Sequence, residues 1–309
     1  MKLLRIVLNG EEHPHYTISK AFEKKFPDIK TIWWEKTPRN HLNEVVLQTV
    51  RQSRYDAVFM QLQTGGLLHP NVVKEMSEYC PVYNWTGDVR LDLTAYTEIG
   101  NHVTTLFTNY TNVEMLRALN MKSDYLQVGY DHVYYYNKNH ERQQYIVFCG
   151  NLYTHANFPL TNERVDMVKR LRSEFGVKFK LFGVGWEKVG VQSEGYIGNE
   201  QEAHIYNSSL IAVNYSHFNY SKYFSDRMLR EMSCGCLVLS HNFQDNHLEF
   251  ENNKHLVIFN DLDDMVEKCR YYLSNPQTCI NMGMEASKYV SENYKWDNFV
   301  DRFCKLIKN

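Results

Sequence analysis

The chain has 309 residues, of which 43% are hydrophobic and 23% charged, and its formal net charge is −2. This composition is typical of a folded globular protein and excludes a disordered chain, and the near-neutral charge gives no support to nucleic-acid binding driven mainly by charge. No apolar run approaches the roughly 18 residues of a membrane span, and the amino terminus lacks a signal-peptide pattern. We therefore expect a cytoplasmic protein with no membrane association and with two domains of about 150 residues each.

The first half of the chain alternates short apolar runs with amphipathic stretches, which predicts strands and helices in turn. We expect strands at 3–9, 30–35, 55–62, 81–88, 104–110 and 124–130, and helices at 17–26, 41–53, 70–79 and 113–119. Strands that alternate with helices in this way indicate a parallel sheet that is covered on both faces.

A polar stretch without a clear period at 132–144 is the predicted connection between domains, and the alternation then restarts. We expect strands at 144–151, 178–186, 210–216, 236–240 and 255–259, and helices at 164–176, 202–209, 225–235, 261–275 and from about 277. The sequence thus predicts an amino-terminal domain at 1–135 and a carboxy-terminal domain at 143–289. A last helix at about 290–309 can pack back on the first domain.

Ligands of open parallel α/β sheets bind beyond the carboxyl ends of the strands, so the loops after the strands are the candidate sites. Gly150 and Asn151 follow one predicted strand, and Gly183 and Gly185 follow the next. Glycine allows a backbone to approach a phosphate or a ribose closely, and a following helix offers free N–H donors. Neither pair forms a G-x-G-x-x-G fingerprint, and glycine is also common in ordinary turns.

The segment YFSDRMLREMSCGCLVLS at 223–240 carries the strongest signal. It predicts a helix that is capped by Ser225 and closed by Gly235, with Arg227 near its start and Glu231 one turn later. A guanidinium at a helix amino terminus suits a diphosphate, and the carboxylate suits two ribose hydroxyls. The alternative is an ordinary surface ion pair between residues i and i+4.

This segment resembles the E-A-x-A-x-G-x-P-V region of GT-B glycosyltransferases of the glycosyltransferase group 1 superfamily, and the CgeB-like branch is the most similar. The resemblance covers about residues 143–300 and rests on FCGNLY, LFGVGWE, GYIGNEQEAHIYNSSLIAVNYS and SDRMLREMSCGCLVLS, with Glu249 downstream. It is weaker in the first half, where YNWTGDVR (83–90) and GYDHVYYYN (129–137) are similar to stretches of that branch. The resemblance implies an α/β fold in which two Rossmann-like, parallel-sheet domains face a central cleft.

The resemblance also implies roles for individual residues of the carboxy-terminal domain. The residues expected at the donor are Gly150, Asn151, Gly183, Tyr196, Ile197, Asp226, Arg227 and Glu231. Among these, Arg227 would hold the diphosphate with Gly150 and Asn151, Glu231 would bind the ribose, and Tyr196 and Ile197 would lie along the base. The chain departs from the Glu-x7-Glu pattern of many relatives, because Tyr223 occupies the first position. The identity of the sugar therefore stays open.

In the amino-terminal half, Asp88 follows an apolar strand and His13 lies in the first strand–helix loop beside His15. We expect Asp88 to act as a base toward an acceptor hydroxyl or to orient the acceptor, and His13 to contact the acceptor or the sugar. The alternatives are a turn-forming aspartate and a solvated loop histidine.

We expect no bound cofactor and no metal. Asp261, Asp263 and Asp264 form a D-x-D-D run, but they begin an amphipathic helix, where carboxylates favour the dipole. The seven cysteines are expected to be reduced thiols, with Cys234 and Cys236 as small buried residues.

The sequence therefore predicts a glycosyltransferase of the hexosyltransferase type that moves a sugar from a UDP-sugar such as UDP-glucose to an acceptor hydroxyl. Retention of configuration is implied by the resemblance alone. The acceptor stays open between a surface or coat polymer, a protein and hydroxymethylated DNA, whose bases can be flipped. Two alternatives remain: a nucleotide-sugar epimerase of the same fold, and a non-catalytic nucleotide-sugar-binding or assembly protein.

Overall fold

The structure is a computed structural model, and it describes residues 1–8 and 16–308. The chain divides into two compact units, one formed by Met1–Gly129 with Trp296–Asn309 and the other by Tyr130–Lys295. Each unit contains one sheet, and every pairing between its strands is parallel. The predicted α/β fold of two Rossmann-like domains with parallel sheets is confirmed.

The first unit has six strands in the order β2-β1-β3-β4-β5-β6. Its strands are β1 (Lys2–Val7), β2 (Asp28–Trp33), β3 (Ala57–Met60), β4 (Val82–Thr86), β5 (Thr104–Phe107) and β6 (Ser123–Tyr125). Its helices are α1 (Tyr16–Lys25), α2 (Arg39–Gln52), α3 (Pro70–Tyr79), α4 (Thr94–Thr97), α5 (Tyr110–Ala118) and α11 (Trp296–Lys308).

The second unit has five strands in the order β11-β10-β9-β7-β8. Its strands are β7 (Gln143–Cys149), β8 (Phe179–Phe182), β9 (Ser209–Asn214), β10 (Leu237–His241) and β11 (Val257–Phe259). Its helices are α6 (Thr161–Phe175), α7 (Asn199–Ser208), α8 (Asp226–Ser233), α9 (Leu262–Ser274) and α10 (Pro276–Asn293). All six residues of the central strand β9 are buried, as expected for a strand that is covered on both faces.

The strand predicted at 124–130 was wrong in its extent, because β6 ends at Tyr125. The Leu126 amide still donates to the Phe107 carbonyl of β5 at 2.9 Å, and side chains take the place of a neighbouring strand after it. The indole of Trp85 donates to the Leu126 carbonyl at 2.9 Å, and the Gln127 side chain accepts from the Val128 amide and donates to the Thr108 carbonyl. The backbone is thereby satisfied without sheet pairing.

The stretch at 132–144, for which the sequence predicts a connection between domains, makes specific contacts inside the second unit. Arg142 donates to the carbonyl oxygens of Tyr206 and Ser209 at 2.9 and 2.8 Å. The hydroxyl of Tyr135, which is 1% exposed, donates to Glu202. This part of the chain is therefore anchored by buried hydrogen bonds.

The carboxy-terminal helix α11 completes the core of the first unit. Phe303 is fully buried, and its ring centroid lies 4.9 Å from that of Phe59, 5.3 Å from that of Tyr83 and 5.9 Å from that of Phe22. Lys24 and Lys25 of α1 form ion pairs with Asp297 and Asp301 at the rim of this contact. A sequence-distant helix thus supplies aromatic side chains that α1 and β3 bury.

Phe303→Ala tests this contribution. We expect the free energy of unfolding of the first unit to fall by about 3–5 kcal/mol, because the substitution removes a buried ring and leaves a cavity among aromatic neighbours. Urea unfolding monitored by tryptophan fluorescence measures the change. Lys305→Ala, at an exposed position of the same helix, is the matched control. An equal loss in both variants would contradict the packing role.

Candidate functional site

The order of strands in the second unit reverses between β7 and β9. The chain passes from β7 outward to β8, and it then returns to the other side of β7 to form β9, β10 and β11. In open α/β sheets a crevice forms at the carboxyl ends of the two strands where the order reverses, and ligands bind there. The loops that meet at this point begin at Gly150 after β7 and at Tyr215 after β9.

Arg164, in the first turns of α6, bridges these two loops. One terminal nitrogen of its guanidinium donates to the Tyr215 carbonyl at 3.1 Å, and the other donates to the Asn151 carbonyl at 3.2 Å. The side chain is 1% exposed, and its Nε has no hydrogen-bond partner. Burial, together with the charge of Arg227, lowers the pKa of this guanidinium, although arginine in proteins stays charged.

Arg227, in the first turn of α8, approaches the same place. A Cβ atom on Gly150 would lie 2.5 Å from an Nη of Arg227 and 3.0 Å from an Nη of Arg164. The two guanidinium carbons lie 5.3 and 5.1 Å from the ring centroid of Phe148. Among the described residues, the Nε of Arg227 has no hydrogen-bond partner. Two cations therefore converge on the glycine that ends β7, and only a residue without a side chain fits there.

Glu231 lies behind Arg227 on the buried face of α8. It is fully buried, its Oε2 accepts from Asn214 at 3.2 Å, and its Oε1 lies 3.9 Å from the Nε of Arg227. Burial raises the pKa of this carboxyl to about 8, against the opposing effects of Arg227 and Asn214. The pair is thus inside the protein and does not match the surface ion pair considered from the sequence, because the Arg227 side chain is only 15% exposed.

Asp226, which precedes Arg227, turns toward a different partner. Its carboxylate accepts from Arg230 at 2.9 Å, and Arg230 also donates to Glu202 of α7 at 2.6 Å. Arg230 is thereby held between two carboxylates, which raise the pKa of its guanidinium against the effect of burial. This network fixes α8 to α7 and so supports the helix end that carries Arg227.

Gly183 allows the loops after β7 and β8 to pack together. It has a φ of +119°, and a side chain there would collide with the Gly150 carbonyl. Next to it, the Val184 amide donates to the Asn151 side chain at 3.0 Å, and the Trp186 indole donates to the Gly150 carbonyl at 2.8 Å. Asn151 therefore shapes the site through its side chain while its carbonyl binds Arg164.

Tyr196 and Ile197 follow Gly195, whose carbonyl accepts from the Gly183 amide at 2.8 Å. Tyr196 is 77% exposed and Ile197 is half-buried. An aromatic ring so open to solvent, tethered to the loop after β8, is available for stacking.

Of the candidates in the first unit, Asp88 lies just after β4 and accepts from Arg90 at 3.2 Å, with its side chain well exposed. His13 and His15 lie outside the described residues. The roles expected of Asp88 and His13 stay predictions.

The acidic run at 261–264 caps and stabilises a helix. Asp261 precedes α9 and accepts from the Asp264 amide at 2.8 Å, Asp263 pairs with Arg170, and Asp264 pairs with Lys268. Among the described residues, no group of three or more histidine, cysteine, aspartate or glutamate side chains is arranged to hold a metal ion. All seven cysteines are buried free thiols, as the sequence predicts.

Arg164 was missed by sequence reasoning. It begins the predicted helix at 164–176, where a charged residue is usually solvent-exposed. Its spacing carried a signal, however, because Arg164 lies on the same helical face as Val168 and Leu171, both of which are fully buried. An arginine on a buried stripe requires partners, and here the two strand-end carbonyls supply them.

Residues 164–305 match a family model described as glycosyl transferase-like, and the match includes Arg164, Arg227 and Glu231. A search of the curated proteins finds no match. Over the part of the chain that the structure describes, no helix has both the length and the apolar character needed to cross a membrane.

Solved structures show the same fold at low sequence identity. Anabaena HepE, solved in complex with UDP, is 9% identical, with a TM-score of 0.69 over 100% of both chains. Sucrose-phosphate synthase from Thermosynechococcus elongatus is 12% identical, with a TM-score of 0.68 over 100% of this chain and 98% of that one. A glycosyltransferase from Rickettsia africae is 12% identical, with a TM-score of 0.70 over 99% and 98%. These likenesses extend over both units.

The raised pKa of Glu231 predicts a pH dependence of stability. Between pH 4.5 and about 8 the folded protein keeps a proton that the unfolded chain has released, so this group stabilises the fold less as the pH rises. Relative to Glu231→Gln, we expect the wild type to lose up to about 1.4 kcal/mol of unfolding free energy per pH unit in that window.

Urea unfolding of both proteins at pH 5, 6.5 and 8 measures the difference. Comparing the two proteins removes the contribution of the buried histidines, whose effect is common to both. The exposed substitution Glu187→Gln serves as the control and should show no such trend. A wild-type-to-variant difference that stays constant from pH 5 to 8 would refute the assignment.

Proposed function

We propose that the protein is a glycosyltransferase of the CgeB-like branch and the hexosyltransferase type, which transfers a sugar from a UDP-sugar to an acceptor hydroxyl. The observation that carries the proposal is the convergence of Arg164 and Arg227 on Gly150 at the reversal of strand order. A fold alone does not determine a function, so this site carries the proposed activity. The glycosyl transferase-like match over residues 164–305 supports it, as do the HepE structures in complex with UDP and with UDP-glucose.

The arrangement suits a leaving group that gains negative charge. When the bond between the sugar and the diphosphate breaks, charge develops on the departing phosphate. Fixed cations that already point at this position stabilise the transition state without reorganising. The two guanidinium groups and the amino-terminal end of α8 supply such a field. We propose that they serve the role that a divalent cation serves in other transferases, so that no metal is required.

The remaining donor contacts follow from the positions of the loops. We propose that the backbone at Gly150 and Asn151 binds the diphosphate, that Gly183 allows the base to approach, and that Tyr196 and Ile197 lie along it. We propose that Glu231 binds the ribose through its Oε1, which lies on the Arg227 side of the carboxyl and has no hydrogen-bond partner. Asp226 contributes by fixing α8 through Arg230.

Asp88 and His13 are our candidates for the acceptor side, with Asp88 as the base. We propose a retaining reaction, and the acceptors to test first are hydroxymethylated DNA and a surface or coat polymer. The seven free, buried thiols support a cytoplasmic location, where cysteines stay reduced.

Isothermal titration calorimetry with UDP and UDP-glucose tests the donor site. We expect Arg164→Ala and Arg227→Ala each to weaken the binding of both ligands by about 10- to 100-fold, because each removes a charged hydrogen-bond partner of the diphosphate. Arg170→Ala, on the exposed face of α6, is the matched control and should bind like the wild type.

Failure of the wild type to bind either ligand at millimolar concentration would remove the proposal. Product analysis with UDP-glucose and no acceptor then separates the enzyme classes. Slow release of UDP and free glucose supports a transferase, whereas conversion to an isomeric UDP-sugar identifies an epimerase. The absence of any turnover would favour a binding or assembly protein.

A further inference from the structure

His217 lies in the loop that follows β9, at the same reversal of strand order as Arg164. Its backbone is fixed, because the His217 carbonyl accepts from the Leu160 amide at 3.1 Å. The residue is 9% exposed, yet neither ring nitrogen has a hydrogen-bond partner. Buried polar groups without partners are rare in folded proteins, so this imidazole requires an explanation.

The surroundings of the ring determine its protonation state. The charges of Arg164 and Arg227 both act on it, and with burial, which is the larger effect, they lower the pKa of His217 to about 3. The backbone of Asn151 lies near the ring and opposes this lowering of the pKa, but no hydrogen bond of normal geometry joins the two. The imidazole is therefore neutral at physiological pH, with one N–H donor and one acceptor nitrogen.

Aromatic rings hold the imidazole in place. Its centroid lies 4.7 Å from that of Phe158 and 5.7 Å from that of Tyr153, and these two rings are stacked on each other. Tyr153 is 48% exposed, so the cluster extends from the buried imidazole to the surface. A ring held in this way presents its nitrogens in a fixed direction.

We propose that His217 is a third ligand of the diphosphate, a neutral imidazole that donates a hydrogen bond to a phosphate oxygen held by Arg164 and Arg227. This inference rests on the proposed function and adds a binding residue to the same site. A third cation between two guanidinium groups would increase their repulsion, whereas a neutral donor adds a hydrogen bond without adding charge. Ligand binding would satisfy a nitrogen that has no partner within the protein.

Two substitutions separate binding from packing. His217→Phe keeps the aromatic contacts with Phe158 and Tyr153 and removes both nitrogens, whereas His217→Gln keeps a donor and loses the ring. We expect His217→Phe to weaken the binding of UDP and of inorganic pyrophosphate about tenfold or more, and His217→Gln to weaken it less. The midpoint of thermal unfolding of ligand-free His217→Phe should equal or exceed that of the wild type, because two unsatisfied buried atoms are removed.

His204→Phe, at an exposed position of α7, is the matched control and should bind both ligands normally. Nitrogen-15 NMR of the wild-type imidazoles gives an independent readout. The signals that are missing in His217→Gln should shift when pyrophosphate is added. Unshifted signals, or a His217→Phe variant that binds pyrophosphate like the wild type while His217→Gln does not, would assign the ring to packing alone and overturn the inference.

Pyrophosphate distinguishes this inference from the proposed function. If the wild type binds pyrophosphate through His217 but binds neither UDP nor UDP-glucose, the inference stands and the nucleotide-sugar function fails. If UDP binds and His217→Phe has no effect on it, the function stands and the inference fails. If neither pyrophosphate nor UDP binds, both are wrong.

Discussion

The convergence of two arginines on one glycine is the constraint on which the proposed site depends. Arg164 and Arg227 bring like charges together in a place that is largely closed to water, where their repulsion is weakly screened. The protein offsets this cost with the carbonyls of Tyr215 and Asn151 and with the face of Phe148. The compensating groups lie at the ends of two neighbouring strands, β7 and β9, so the parallel sheet determines the position of the charges.

The order of the strands explains why these groups meet. At the reversal between β7 and β9 in the sheet of the second unit, two adjacent strands send their following chain to opposite faces of the sheet. Arg164 spans the opening by binding one carbonyl on each side. The loop after β8 can pack against β7 because Gly183 adopts a left-handed conformation beside the Gly150 carbonyl. A side chain at Gly150 or Gly183 would push apart elements that the sheet holds in register.

Local pattern was enough to predict the two parallel sheets and one half of the candidate site. The alternation of apolar runs predicted the parallel sheets. The spacing of Arg227 and Glu231, at positions i and i+4, predicted that the helix now called α8 carries charged residues of the candidate site. Arg164 and His217 were not found, because their burial depends on the order of the strands, which a linear pattern does not contain. His217 also sits in a polar, aromatic run between β9 and α8 that has no period to interpret. His13 lies outside the described residues, so the role expected of it stays a prediction.

The balance of charges in the proposed site favours the binding of an exchangeable anion. Glu231 is the carboxylate beside Arg227, and with its pKa raised to about 8 it is largely protonated at neutral pH. A second buried carboxylate would form permanent ion pairs with the cations. Such a buried cluster adds little to the stability of the fold and leaves no positive charge for an anionic ligand. Because the two cations lack a full set of negative partners, the folded protein is less stable than it could be. The same lack of negative partners favours the binding of a diphosphate, with two adjacent negative groups, over that of a singly charged ligand.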